Sequence, residues 1–236
     1  MLIEFIKGFG LLVAYYLVFI AIAVVMRKFI DIPSEIFRKM LHLIVMASVF
    51  IFTYGFQTWW ISCIAAISFI ILIFPVLSLL ERLEGFSWFF VERKSGELKL
   101  SLIVGFAMFA ILTAAGWGLF DKKYIVVVSV LAWGFGDATA ALFGKRFGKH
   151  YITGKLVEGR KTLEGSLSMY VISFITVSVI LLAEGAFVWY VSLLAAALTA
   201  AACTAVELYT RNGMDTITCP LASAAVIILF NHFWRS

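Results

Sequence analysis

The residues able to do chemistry crowd into one short stretch of the chain. Asp137 lies in the otherwise apolar run Trp133-Gly134-Phe135-Gly136-Asp137-Ala138-Thr139-Ala140-Ala141. Burying a charge in a bilayer costs about 2.5–3.5 kcal/mol even on lenient insertion scales, so an intramembrane carboxylate is a functional candidate by default. Asp137 precedes Gly144 by seven residues, roughly 10 Å along a helix at 1.5 Å per residue. Gly136, Ala140 and Gly144 recur every fourth residue and make a ridge on which another helix can pack closely. The plain alternative is an Asp137 paired with a cation for packing alone.

The following link, Gly144 to Thr162, carries six basic residues: Lys145, Arg146, Lys149, Lys155, Arg160 and Lys161. Against them stands only Glu158, and four glycines interleave. A cationic, glycine-rich backbone suits a polyphosphate; the same charge would also serve as a topology signal that binds lipid headgroups. Lys161-Thr162-Leu163-Glu164-Gly165 reads as a helix start, with Thr162 as cap and Glu164 complementing the dipole. A helix N-terminus with a Lys and a hydroxyl is also a phosphate site. Glu164 and Asp137 could together hold Mg²⁺, which favours one or two carboxylates plus nucleotide phosphates. Gly154 to Thr162 is not a P-loop: Lys161 and Thr162 come one residue late, and no buried strand precedes them.

Other polar groups could join this place. Arg38 and His42 share one helix face at i, i+4, with Glu35 and Lys39 a turn apart. Glu92 to Glu97 form a charged turn. Glu207 closes one apolar run and Asp215 precedes the next; each is a candidate metal ligand or a polar boundary.

The elements that must position these groups follow from composition. Of 236 residues, 63% are hydrophobic and 14% charged, and mean hydropathy is +1.04. Soluble domains carry about 25% charged residues, so an ordinary cytosolic enzyme, a disordered chain and a nucleic-acid module are excluded. Cys63, Cys203 and Cys219 lie in apolar surroundings without a C-x-x-C pair and read as small apolar side chains.

Eight runs approach the length of about 20 residues that crosses a bilayer: Phe9–Met26, Met40–Tyr54, Thr58–Leu80, Ser101–Phe120, Tyr124–Phe143, Leu163–Ala183, Phe187–Val206 and Thr218–Phe233. The expected fold is therefore an all-α integral membrane bundle of about eight helices. Residues 1–236 are expected to form a single polytopic domain, with polar loops near 27–39, 81–100, 144–162 and 207–217. Ala21-Ile22-Ala23 resembles a signal cleavage site, but the run continues past it and its start lacks a positive bias, so a retained anchor is expected.

Charge placement tests the count. Links after odd-numbered spans hold 15 of the 19 Lys and Arg; Lys7, Lys122, Lys123 and Arg235 remain. The positive-inside rule then puts those links in the cytoplasm and both termini on the opposite side. The +5 of the Gly144–Thr162 link equals the net charge of the whole chain, so the rest is a neutral bundle.

These motifs resemble a known family. Gly136-Asp137-x-x-Ala140-x-x-x-Gly144 with Lys161-Thr162-x-Glu164-Gly165 is similar to the signature of the CTP-using membrane lipid enzymes. These are the dolichol, phytol and diacylglycerol kinases and the related phosphatidate cytidylyltransferases. Arg38-Lys39-x-x-His42 resembles the kinases' R-K-x-x-H, and Arg93 to Glu97 their R-x-x-G-E. After Glu207, Asp215-Thr216-Ile217-Thr218-Cys219-Pro220-Leu221-Ala222 resembles the kinases' D-N-x-x-[IV]-P-L-[AS], with Thr216 in place of Asn. The longer glycine- and Asp-rich ending of the cytidylyltransferases is missing.

The resemblance implies a kinase that moves phosphate from CTP to the hydroxyl of a membrane lipid alcohol: a polyprenol, a phytol-like alcohol or diacylglycerol. It implies Mg²⁺ near Asp137 and Glu164, and a role for Lys161 and Arg38 in the reaction. Gly136, Gly144, Lys145, Arg146, Arg160, Lys161 and Thr162 would bind the nucleotide, and Lys39, His42, Glu207 and Asp215 are further candidates. A phosphatidate cytidylyltransferase making CDP-diacylglycerol is the nearest alternative. An ion-coupled transporter is the alternative from another class; against it, no internal repeat is visible and the polar groups crowd one rim.

Overall fold

Continuous apolar runs without a polar face form helices whose whole surface meets lipid or other helices, and all regular elements among the described residues are helical. The computed structural model describes residues 1–80, 97–154, 157, 161–211 and 213–234. The chain divides into two compact units, Met1–Ala114 and Ala115–Ser236.

In the first unit, α1 (Leu2–Phe29), α2 (Ser34–Ala47), α3 (Val49–Tyr54), α4 (Trp59–Leu80) and α5 (Glu97–Leu112) follow in order. The second expected span is broken at Ser48, between α2 and α3. There Tyr16 donates a 2.8 Å hydrogen bond to Ser48 Oγ, and Ser48 donates to the Val45 carbonyl at 2.7 Å. The Ser48 hydroxyl thus turns back onto the helix it interrupts. Across the unit, the Glu4 carboxylate on α1 accepts the backbone N–H groups of Gln57 and Thr58 at 2.9 and 2.8 Å. These two residues lead directly into α4, so α1 ties down the backbone at the α4 N-terminus. An aromatic cluster fills the interior: Phe69 stacks on Phe106 at 4.5 Å and Phe52 on Phe109 at 4.9 Å.

A π-helical turn, Thr113–Leu119, follows α5. In the second unit Asp121, at φ 55°, reverses the chain, and Lys122 N–H closes the turn on the Gly116 carbonyl at 3.0 Å. The second unit then runs through α6 (Lys123–Phe147), α7 (Leu163–Ala183), α8 (Trp189–Tyr209) and α9 (Asp215–Phe233). α6 touches α7, α8 and α9, and α7 packs on α8 and α8 on α9. The first three turns of α6 are buried almost without interruption, from Tyr124 to Gly134.

Eight helical segments are long and apolar enough to cross a membrane, and they match the eight expected spans in order. Three ends differ. The first helix begins at Leu2 rather than Phe9, and the last at Asp215 rather than Thr218. The fifth continues past Phe143 to Phe147, so Gly144, Lys145 and Arg146 sit in a helix and not in a flexible link.

Candidate functional site

Small residues first bring α6 and α7 together. A Cβ on Gly136 would meet Ser173 Oγ at 2.5 Å, and one on Gly165 would meet the Ala140 carbonyl at 2.9 Å. A Cβ on Gly144 would meet Thr162 Oγ1 at 3.0 Å. The ridge read from the sequence is therefore the packing face toward α7. This is also why the helix continues through Gly144: the glycine is needed for approach, not for flexibility. Ser173 fastens the contact by donating to the Ala132 carbonyl at 2.7 Å.

The link between the two helices closes on itself at its base. Tyr151 and Thr162 form an antiparallel bridge, in which Ile152 N–H donates to the Lys161 carbonyl and Leu163 N–H to the His150 carbonyl, both at 2.9 Å. Thr162 is buried and caps α7, its hydroxyl oxygen accepting the Gly165 N–H at 3.2 Å. Glu164, in the first turn, is held by His150: Nδ1 lies 2.7 Å from Oε1, and the His150 N–H reaches both carboxylate oxygens at 3.3 Å. Gly148 tucks beneath, where a Cβ would meet Thr162 Cγ2 at 2.6 Å.

The closed base aims Lys161 at α8. Its ammonium donates to Glu207 Oε1 at 2.7 Å and also to the Glu207 backbone carbonyl. Both side chains are mostly buried, at 20% and 13% exposure. That carbonyl belongs to the last turn of α8, where no further helical N–H can reach it, and a lysine there also answers the negative end of the helix dipole. The Glu207 carboxylate feels Lys161 as an opposite charge, and Asp137 and Asp215 as like charges. Half-buried Asp137 on α6, Glu207 on α8 and Asp215 at the start of α9 therefore share one electrostatic neighbourhood at one end of the second unit.

The sequence-expected residues thus separate into groups. Asp137, Lys161, Glu207 and Asp215 come together, while the Glu164 carboxylate is engaged by His150. Lys145 and Arg146 occupy the last turn of α6, exposed, with the Arg146 guanidinium over the Phe147 ring at 5.5 Å. Arg160 and the Arg93–Gly96 part of the R-x-x-G-E pattern lie outside the described residues. Within the first unit, Arg38 pairs with Glu35 at 2.6 Å, Lys39 is buried at 5% exposure, and His42 is half-buried on the same helix.

Two roles escaped the sequence reading. His150 was an unassigned member of the basic link, since nothing in linear order shows a loop histidine returning to the next helix. Glu207 stands in the sequence as a candidate metal ligand or polar boundary, with nothing in linear order to join it to Lys161. A signal existed: an acid in the last turn of a helix opposes the dipole and so calls for a cationic partner.

The charge excess fits a divalent cation. The largest charges acting on Glu207 are one ammonium and two further carboxylates, so negative charge exceeds positive. The oxygens present, carboxylate and backbone carbonyl, are hard donors of the kind Mg²⁺ takes. Among the described residues, no three His, Cys, Asp or Glu side chains form a ready metal cage. That suits an ion bound through one or two carboxylates and completed by phosphate.

No protein-family model matches this chain, and no solved structure matches it. It is similar to a phytol kinase of Synechocystis sp., 27% identical over 213 residues that cover 86% of this chain and 82% of that protein. The match is longer than either compact unit, so it includes residues of both, and it relates this helical membrane protein to a lipid kinase.

Proposed function

We propose that the protein is a CTP-dependent kinase that phosphorylates the hydroxyl of a membrane lipid alcohol. The similarity to a phytol kinase across both units carries this reading. The acidic end of the second unit, with Lys161 at its edge, supplies groups suited to the chemistry. CTP as donor rests on the motif resemblance at Asp137 and at Lys161 to Gly165; the residues themselves call only for a polyphosphate and a divalent metal.

In this reading the lipid alcohol enters sideways from the bilayer, its hydroxyl at the rim where α6 and α8 end and α7 and α9 begin. That rim is the cytoplasmic one on the positive-inside argument. The hydroxyl oxygen bonds to the γ-phosphorus of CTP while the bond to the β–γ bridging oxygen breaks. CDP leaves, and the hydroxyl gives up its proton. Little covalent work falls to the protein, so positioning and charge stabilisation dominate.

Asp137 with Glu207 or Asp215 would hold Mg²⁺, and Glu164 would join once its tie to His150 opens. The bound ion would neutralise the phosphate oxygens and orient the triphosphate. Lys161, Arg160, Lys145, Arg146 and the α7 N-terminus capped by Thr162 supply the remaining positive charge. For Arg38, with Lys39 and His42 as further candidates, a part in the reaction rests on the motif resemblance alone.

The decisive experiment uses purified protein, γ-labelled CTP and a panel of lipid alcohols. Label should enter the lipid, and Asp137→Asn should abolish the transfer. Release of pyrophosphate with phosphatidate as acceptor would instead assign the cytidylyltransferase reaction, which breaks a different bond of CTP. Solute uptake lost in Asp137→Asn, with no lipid turnover to lose, would assign a transporter.

A further inference from the structure

Lys161 occupies a place built for a cation. Its ammonium is held between two oxygens of one residue, the Glu207 carboxylate and the Glu207 backbone carbonyl, with Asp137 and Asp215 adding negative charge nearby. These hard oxygen donors are the type that coordinates Mg²⁺ or Mn²⁺. A monovalent ammonium and a divalent ion cannot both sit against the same carboxylate oxygen without strong repulsion.

We propose that Lys161 is a resident counter-cation that competes with the divalent metal for Glu207, and that it must leave Glu207 before the metal is fully seated. The inference rests on reading this end of the bundle as a metal and nucleotide site. It adds an order to events there. Without nucleotide, the ammonium satisfies the buried Glu207 carboxylate, which would otherwise stand among like charges. An incoming triphosphate offers the ammonium another anion, and the released Glu207 oxygens then face the metal that the nucleotide carries. Lys161 thereby couples phosphate binding to metal capture and keeps metal affinity low when the nucleotide is absent.

The position of Lys161 makes this exchange local. Its backbone carbonyl is fixed by Ile152 N–H, and the next residue, Thr162, caps α7. Only the flexible side chain need swing, while the α7 N-terminus stays in place.

The test uses the intact protein with Mn²⁺ alone, without nucleotide or lipid, and reads binding by electron paramagnetic resonance of the free ion. Lys161→Met should tighten Mn²⁺ binding by roughly tenfold or more, the direction and scale for removing a like charge in contact with the ion. Lys161→Arg, which keeps the charge, should bind like the wild type, and Glu207→Gln should lose the tightened binding in the Lys161→Met background. Unchanged or weaker binding in Lys161→Met would overturn the proposal. A second measurement needs no variant: saturating Mn²⁺ should speed modification of Lys161 by a small amine-reactive reagent, read by peptide mass spectrometry. A rate that stays constant or falls would also overturn it. Neither measurement depends on kinase turnover, so a failure of the kinase reading would show separately, as absence of labelled lipid.

Discussion

Ser173 Oγ stands 2.5 Å from the point where a methyl group on Gly136 would lie, and the same hydroxyl donates across the helix interface to the Ala132 carbonyl. One serine therefore both requires the glycine and fixes the helix that carries Asp137, the next residue.

Gly136→Ala should destabilise the protein by about 1–3 kcal/mol, the usual cost of overpacking a tight interface. Lipid phosphorylation should fall with it, because Asp137 shifts with its neighbour. Gly136→Ala combined with Ser173→Ala should recover much of the loss, since the nearest clashing atom is gone and the next, Met169 Cγ at 3.0 Å, belongs to a flexible side chain. Thermal unfolding in detergent and CTP-dependent transfer measure the two effects. A double variant no better than Gly136→Ala alone would show that the contact does not set the helix spacing.

Thr162 does two jobs separable by substitution. Its hydroxyl caps α7 and its methyl packs against Gly148. Thr162→Ser keeps the cap and should retain most stability. Thr162→Val keeps the shape but leaves the Gly165 N–H without its acceptor, and should cost about 1 kcal/mol. The order of the two midpoints in a denaturant or thermal series decides whether capping or packing matters more.

The pair His150–Glu164 separates two readings of Glu164. His150 is 75% exposed, and exposed ion pairs contribute little to stability. His150→Ala should therefore change activity by less than about tenfold in either direction, the modest effect expected of a solvated tie. Glu164→Gln should lower it at least about a hundredfold if the carboxylate reaches the metal or phosphate charge, as for loss of one preorganised electrostatic group. Equal, small losses in the two variants would confine Glu164 to fastening the link.

Much of this arrangement was legible in the residue order, and the rest was not for physical reasons. Eight apolar runs give eight helices because length and hydropathy alone decide whether a segment can cross a bilayer. The Gly136–Ala140–Gly144 spacing gave away the close face of α6, since side-chain size at every fourth residue is a local property. The break at Ser48 was hidden because its partner, Tyr16, lies 32 residues away. The pairing of Lys161 with Glu207 spans 46 residues and depends on how α7 and α8 meet. Both residues could be singled out, but not joined, from the sequence.

Glu4 makes a prediction about folding rather than catalysis. Its carboxylate accepts from Gln57 N–H, Thr58 N–H and the Thr58 hydroxyl, at the start of a helix belonging to a different part of the first unit. Glu4→Gln removes the charge and replaces one acceptor oxygen by a donor, so the midpoint of thermal unfolding should fall. The KM values for nucleotide and lipid should stay unchanged, since none of the proposed reacting groups touches Glu4. A KM shift without loss of stability would contradict a purely capping role.

Sidedness gives the final prediction. Lys122, Lys149 and the α1 start fall in links that the charge count assigns to opposite faces: Lys149 to the face rich in basic residues, Lys122 and the N-terminus to the other. Cysteine introduced at Lys149 should react with an impermeant maleimide only from the cytoplasmic side of sealed vesicles, and cysteine at Lys122 only from the opposite side. The native cysteines are a weak background, Cys203 and Cys219 being buried and Cys63 half-buried. If both positions reacted from one face, α6, the one helix between them, would not cross. Asp137 would then lose its membrane setting, and with it the argument that its burial marks a functional carboxylate.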